Sequence, residues 1–166
     1  MPMQHAYTVD VEWTGAGDAG TATYRSYARD HVVRVEGLPD ILGSADKTFR
    51  GDAARHNPEQ LLVAALVQCH MLSYLHQAAS RGIVVTAYRD SAVGAMETSG
   101  TGGRFTRVVL HPVVTIADAA QAADALDAHV QAGIDCFIAS SVNFPVLHAP
   151  TIVADGETVA AREAHA

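Results

Sequence analysis

Cys69 and Cys136 are the residues of this sequence whose type most readily does chemistry, and they are its only cysteines. Two cysteines are too few for a disulfide scaffold and enough for one redox couple. Cys69 lies in an apolar stretch, where a cysteine is most often an inert hydrophobe. Its neighbours Gln68 and His70 are polar, and a nearby histidine lowers a thiol pKa when protonated or hydrogen-bonded. Side chains at i and i+1 of a helix diverge by about 100°, so adjacency alone does not place His70 on Cys69. Cys136 follows Gly133, where a helix is expected to break, and is expected to open a short helix. There the partial positive charge of the helix end stabilises a thiolate. A disulfide requires α-carbons within roughly 4.4–6.8 Å, which spacing along the chain does not decide.

Other chemistries lack their signatures. Nine histidines accompany the two cysteines, but there is no C-x-x-C and no H-E-x-x-H. His70 and His76 are six residues apart and fall on different helix faces. Gly100, Gly102 and Gly103 have no following helix to hold a phosphate, and no G-x-S-x-G elbow is present. No metal and no cofactor is expected.

The elements that must position the thiols are legible in part. Residues 5–13 alternate partly, with Tyr7, Val9, Val11 and Trp13 on one face, and read as a half-buried strand. Residues 21–27 and 31–35 read as further strands and residues 37–52 as loop, which makes the first third an antiparallel meander. Asn57-Pro58-Glu59 offers an N-cap, a proline at the first helical position and an acid in the first turn. A helix follows to about residue 79, with Gly82 as its terminator. It is apolar on more than one face, which predicts a central buried helix. Residues 83–96 and 104–116 read as one long hairpin. Asp118 caps a second helix through about residue 132, Cys136–Val142 reads as a short third, and residues 151–154 as a last strand before a frayed end. Strands grouped around two main helices indicate an α+β class in one domain, 1–166.

Composition bounds the partners. The chain has 166 residues, 49% hydrophobic and 17% charged, and a net charge of −7. It is long enough for a core without staples, and its acidity disfavours nucleic acid or an anionic membrane as partner. The first residues lack the basic and apolar regions of a signal peptide. The longest apolar run, 61–67, is about a third of the roughly 20 residues that span a bilayer. A cytoplasmic location is expected, where any disulfide is transient.

Asn57-Pro58-Glu59-Gln60-Leu61-Leu62, with Cys69 ten residues after the glutamate, resembles the NPE[EQ]L…C motif of the OsmC/Ohr family of osmotically inducible and organic hydroperoxide resistance proteins. The second cysteine, in Asp135-Cys136-Phe137-Ile138, sits where that family has its second thiol, and Glu12-Trp13-Thr14-Gly15 is similar to its first strand and turn. The resemblance implies an intertwined α+β homodimer and a peroxidase acting on organic hydroperoxides with a thiol or dithiol reductant. Cys69 then resembles the peroxidatic thiol, Cys136 the resolving thiol and Glu59 the partner of an active-site arginine. Ten helical residues rise about 15 Å, so Glu59 cannot reach Cys69 along its own helix. It reaches a partner subunit's site, acts through a bridging arginine, or is only a first-turn acid. The first glycine-containing turn has no arginine; Arg50 is the first candidate, with Arg55, Arg25 and Arg29 behind it. Many relatives have Cys-Pro at the second thiol, where this chain has Cys136-Phe137. Phe137, Phe144, Met71 and Tyr74 either line an apolar substrate pocket or pack the core. The alternative to a peroxidase is a non-catalytic, stress-associated or small-molecule-binding protein of the same fold, with both cysteines inert.

Overall fold

A computed structural model describes residues 3–166. The chain forms two compact units, one ending at Leu62 and the other starting at Val63, inside the long helix.

The first unit holds a three-stranded antiparallel sheet, β1 (Asp10–Trp13), β2 (His31–Arg34) and β3 (Ile41–Gly43), in the order β1-β2-β3. Its meander was legible, but two boundaries differ. Residues 21–27 are not a strand: Gly20–Ala22 is a 3-10 turn, and the Ser26 hydroxyl donates to Gly20 O and Thr23 O while accepting from Thr23 N–H. Serine side chains that bond nearby backbone in this way hold a chain in turns. The expected loop 37–52 contains β3 and a 3-10 turn, Lys47–Phe49, capped by Asp46 through Thr48 N–H at 2.7 Å. Among the described residues of this unit, Val32 is the only buried hydrophobic side chain, whereas Val9, Val11, Trp13 and Leu42 are exposed.

Helix α1 spans Pro58–Ser80. Its start is a reciprocal cap: Asn57 Oδ1 accepts from Gln60 N–H at 2.8 Å, and Gln60 Oε1 accepts from Asn57 N–H at 3.2 Å. Gly82, in the left-handed region at φ 71°, ends it. Burial along α1 is a single stripe, Leu66, His70, Tyr74 and Ala78, spaced by four. Leu72 and Leu75 are exposed. The expected all-round burial is therefore absent from the single chain.

In the second unit, β5 (Val93–Ser99) and β6 (Gly102–Leu110) make the expected hairpin, with Gly100 at φ 60° in its turn. The hairpin does not run on. β4 (Val85–Arg89) and β7 (Val113–Ile116) pair in a different sheet, because the chain breaks at Asp90–Ala92 and at His111–Pro112. Pro112 has no N–H for a continuous ladder. One sheet has the order β10-β9-β7-β4 and the other β5-β6-β8, where β8 is Val146–His148, β9 Thr151–Ala154 and β10 Glu157–Ala161. The expected set of antiparallel strands is thus incomplete: β6–β8 and β7–β9 are parallel, since helix α2 (Ala122–Asp135) lies between them and returns the chain. The expected frayed end after residue 157 is instead strand β10, and β8 lies in the stretch 145–150 before β9.

Asp118 does cap, but caps a 3-10 turn, Ala119–Gln121, that leads into α2. The helix passes through Gly133 and stops at Asp135. The third helix is reduced to a 3-10 turn, Ala139–Ser141. One core of the unit gathers Tyr74, Ile83, Val114, Ile116, Leu126 and Ile152; a second gathers Leu66, Val108 and Leu110.

Candidate active site

Cys69 stands in the middle of α1, partly buried, one turn after Leu66. Cys136 is the residue at which α2 ends, 1% exposed. Both are free thiols. The fold brings them close enough for Cys69 to act on the Cys136 thiol and raise its pKa.

Cys136 does not open a helix, as its position after Gly133 had suggested. It follows the carbonyl end of α2, where the helix charge is negative and gives a thiolate no support. The turn after it supplies one compensating contact, Ala139 N–H donating to Cys136 Sγ at 3.4 Å. The Ser140 hydroxyl donates to Cys136 O at 3.0 Å and steadies the same turn. Burial dominates: it pushes the Cys136 thiol up to about 11, the contact with Cys69 adds to the rise, and the Ala139 N–H opposes it. Cys136 is therefore a protonated thiol at neutral pH, a hydrogen-bond donor more than a nucleophile.

His70 follows Cys69 in sequence but belongs to the buried stripe, where its Nε2 hydrogen-bonds His129 Nδ1 at 3.0 Å. Of the apolar residues considered for a pocket, Tyr74 and Phe144 are core: Tyr74 is fully buried and Phe144 packs on Phe105 at 5.3 Å between ring centres. Phe137 is 82% exposed, next to Cys136.

Glu59 and Arg50 belong to the first unit. Glu59, in the first turn of α1, has one carboxylate oxygen buried without a protein hydrogen-bond partner. No ion pair joins Glu59 to Arg50 among the described residues. Arg50 is exposed and left-handed, φ 66°, closing the 3-10 turn at Lys47–Phe49. Arg55 is committed to Asp30 at 3.4 Å and Asp52 at 3.8 Å. Arg29, ranked lower on sequence, packs against two tyrosines. Its guanidinium lies 4.3 Å from the Tyr24 ring centre and 4.1 Å from that of Tyr27, and donates to the carbonyls of both residues. It has no carboxylate partner among the described residues.

Sequence reasoning missed that His70 packs with His129 and His148 in the interior, with Tyr74 stacked on His129. The four-residue spacing of Leu66, His70, Tyr74 and Ala78 carried the signal, since such a stripe lies on one helix face.

A family model described as OsmC-like protein matches residues 50–148. No curated protein matches the chain. Among solved structures, an OsmC-like protein of unknown function from Vibrio cholerae is 31% identical, with a TM-score of 0.78 over 90% of this chain and 100% of the other. An organic hydroperoxide resistance protein from Elizabethkingia anophelis is 18% identical, with a TM-score of 0.64 over 92% of this chain and 100% of the other. One from Legionella pneumophila, described as a predicted redox protein, is 16% identical, with a TM-score of 0.65 over 91% and 98%. The thiol pair thus sits within a matched sequence segment and a shared fold, and the chain belongs to the OsmC-like protein family.

Proposed function

We propose that this protein is a thiol-dependent peroxidase that reduces organic hydroperoxides. The observation that carries the reading is the contact between Cys69 and Cys136 in a chain of this family, some of whose structural neighbours are named organic hydroperoxide resistance proteins. In the reaction, the Cys69 thiolate attacks the outer oxygen of R–OOH. The O–O bond breaks, a proton completes the departing alcohol R–OH, and Cys69 becomes a sulfenic acid. The Cys136 sulfur then attacks the Cys69 sulfur, water leaves, and a Cys69–Cys136 disulfide forms. An external thiol or dithiol takes up the oxidising equivalents and restores both thiols. Cys136 must lose its proton for the second step, and its burial makes that step slow until the site rearranges.

Glu59 is assigned the partner of an arginine, Arg50 by its place in the sequence or Arg29, which has no carboxylate partner among the described residues. A buried carboxylate oxygen without a partner favours a cation, and a cation stabilises the attacking thiolate. The working protein is a cytoplasmic homodimer. Among its described residues the first unit buries one hydrophobic side chain while exposing several, and α1 exposes Leu72 and Leu75, surfaces that a second copy would cover. Sedimentation at the monomer mass would contradict this.

The test is consumption of cumene hydroperoxide with dithiothreitol as reductant. Wild type is expected to turn over, Cys69→Ser to fall to the background rate, and Cys136→Ser to lose sustained turnover while Cys69 over-oxidises to the sulfinic acid by mass. Equal rates for wild type and Cys69→Ser reject the reading. A second reading has its own support in the closed, protonated state of Cys136: a non-catalytic binding protein of the same fold, with inert thiols. It predicts that neither cysteine of the native protein reacts with a thiol reagent within the time in which a denatured control is fully labelled.

A further inference from the structure

Four imidazoles of the second unit form one column. His70 lies parallel to His148 at 4.2 Å between ring centres and to His129 at 5.3 Å, with interplanar angles of 21° and 12°. Tyr74 stacks on His129 at 3.8 Å, and His165 meets His148 edge-on at 6.1 Å. Beyond the His70–His129 hydrogen bond and one from His165 Nδ1 to Glu163 O at 3.1 Å, the rings have no hydrogen-bond partner in the protein. Both nitrogens of His148, His70 Nδ1, His129 Nε2 and His165 Nε2 are buried without a protein hydrogen-bond partner. No carboxylate pairs with any of the four rings among the described residues. The nearest cations repel protonation: Arg162 acts on His129, and Arg162 is itself paired with Asp127 of α2 at 2.8 Å. From α1 the column is faced by His70 and Tyr74, from α2 by His129, and from the last residues by His165. Metal coordination does not suit this arrangement, because lone pairs in stacked parallel rings do not converge.

His148 is also the anchor of the last residues. Its N–H donates to His165 O at 2.7 Å and its carbonyl accepts from His165 N–H at 3.1 Å. Beyond these, the segment is held by Arg162 N–H to Pro150 O at 3.0 Å and by the Arg162–Asp127 pair, while Glu163 and Ala164 are exposed. So few contacts make a low-cost opening unit.

We propose that the histidine column is an acid-released latch, in which proton uptake by His148 expels residues 162–166 from β8. In the closed form burial holds His148 down at about 4, the coulombic effect of His165 adding to it, so a protonated ring belongs to the open form, where water solvates it. Release also reaches the thiol region. His148 and Ala166 line a cleft of about 290 Å³ together with Gly133, Ala139 and Ser140, and the last two hold Cys136.

The test is hydrogen exchange at the His148 and His165 amides of the full chain, corrected for the intrinsic pH dependence of exchange. With a free histidine near 6.5, the opening equilibrium of wild type is expected to rise by tenfold or more, roughly, between pH 7.5 and pH 5. His148→Phe keeps the stacking and removes the proton; its rise should be less than twofold. Gly133 leaves little room for a larger ring, so His148→Asn serves as the second variant, with the same expectation. A wild-type rise below twofold overturns the latch, as does a wild-type rise that the foldable variants reproduce in full.

Discussion

Gly133 occupies the interior of α2, where glycine costs about 1 kcal/mol relative to alanine. Its use there follows from the neighbouring ring: a Cβ at this position would lie 2.7 Å from His148 Cε1. The residue that reads as a helix stop is instead a point of close helix–strand approach. Gly133→Ala gains helix propensity yet is expected to lower stability by about 1–3 kcal/mol, since overpacking a buried contact exceeds the gain. Thermal unfolding with an unchanged or higher midpoint would show that the ring yields. Cys136 teaches the same lesson. Its thiol chemistry is set by burial and by the carbonyl end of α2, neither of which its immediate sequence announces.

At the scale of elements, α1 was the most legible. Asn57 and Pro58 satisfy or avoid the unpaired N–H groups of the first turn and Glu59 sets a negative charge there, and these are local requirements that short sequence stretches express. Asn57→Ala removes the side-chain acceptor of the Gln60 N–H while leaving the Asn57 backbone donor, and is expected to cost about 1 kcal/mol, read as a lower urea midpoint with the same slope. An unchanged midpoint would mean that the helix start is held by other contacts. The strands were less legible. Residues 83–116 alternate like one hairpin, yet Asp90 bonds His111 N–H at 2.8 Å at the point where the chain changes sheets. Pro112 was visible in sequence as a ladder breaker; which strands then pair depends on β8 and β9, distant in the chain.

At the scale of the whole molecule, the buried histidines tie stability to pH. Burial holds His70 down at about 3, His129 at about 2 and His148 at about 4. Each is near 6.5 in the unfolded chain. Below that value the unfolded state binds more protons than the native state, so stability falls with pH. The contribution is complete above about 6.5 and is lost progressively as pH falls toward the native values. Each histidine contributes on the order of 1.4 kcal/mol per pH unit within its window. Urea midpoints at pH 7 and pH 5 are expected to differ strongly in wild type and less in His129→Phe. Equal midpoints would mean that the rings are already solvated.

By itself the sequence determined the α+β class, the antiparallel meander of the first unit, the start and end of α1, and two thiols of separate origin within one family pattern. These follow from local rules: caps, turn glycines and hydrophobic period act within a few residues. Tertiary structure alone decided that the two thiols come close, that Cys136 closes a helix, that β6 and β7 receive parallel partners, and that four histidines share one column. These are contacts between residues dozens of positions apart. Their physical cause is burial, which raises a thiol pKa and keeps imidazoles neutral whatever residues flank them in the chain.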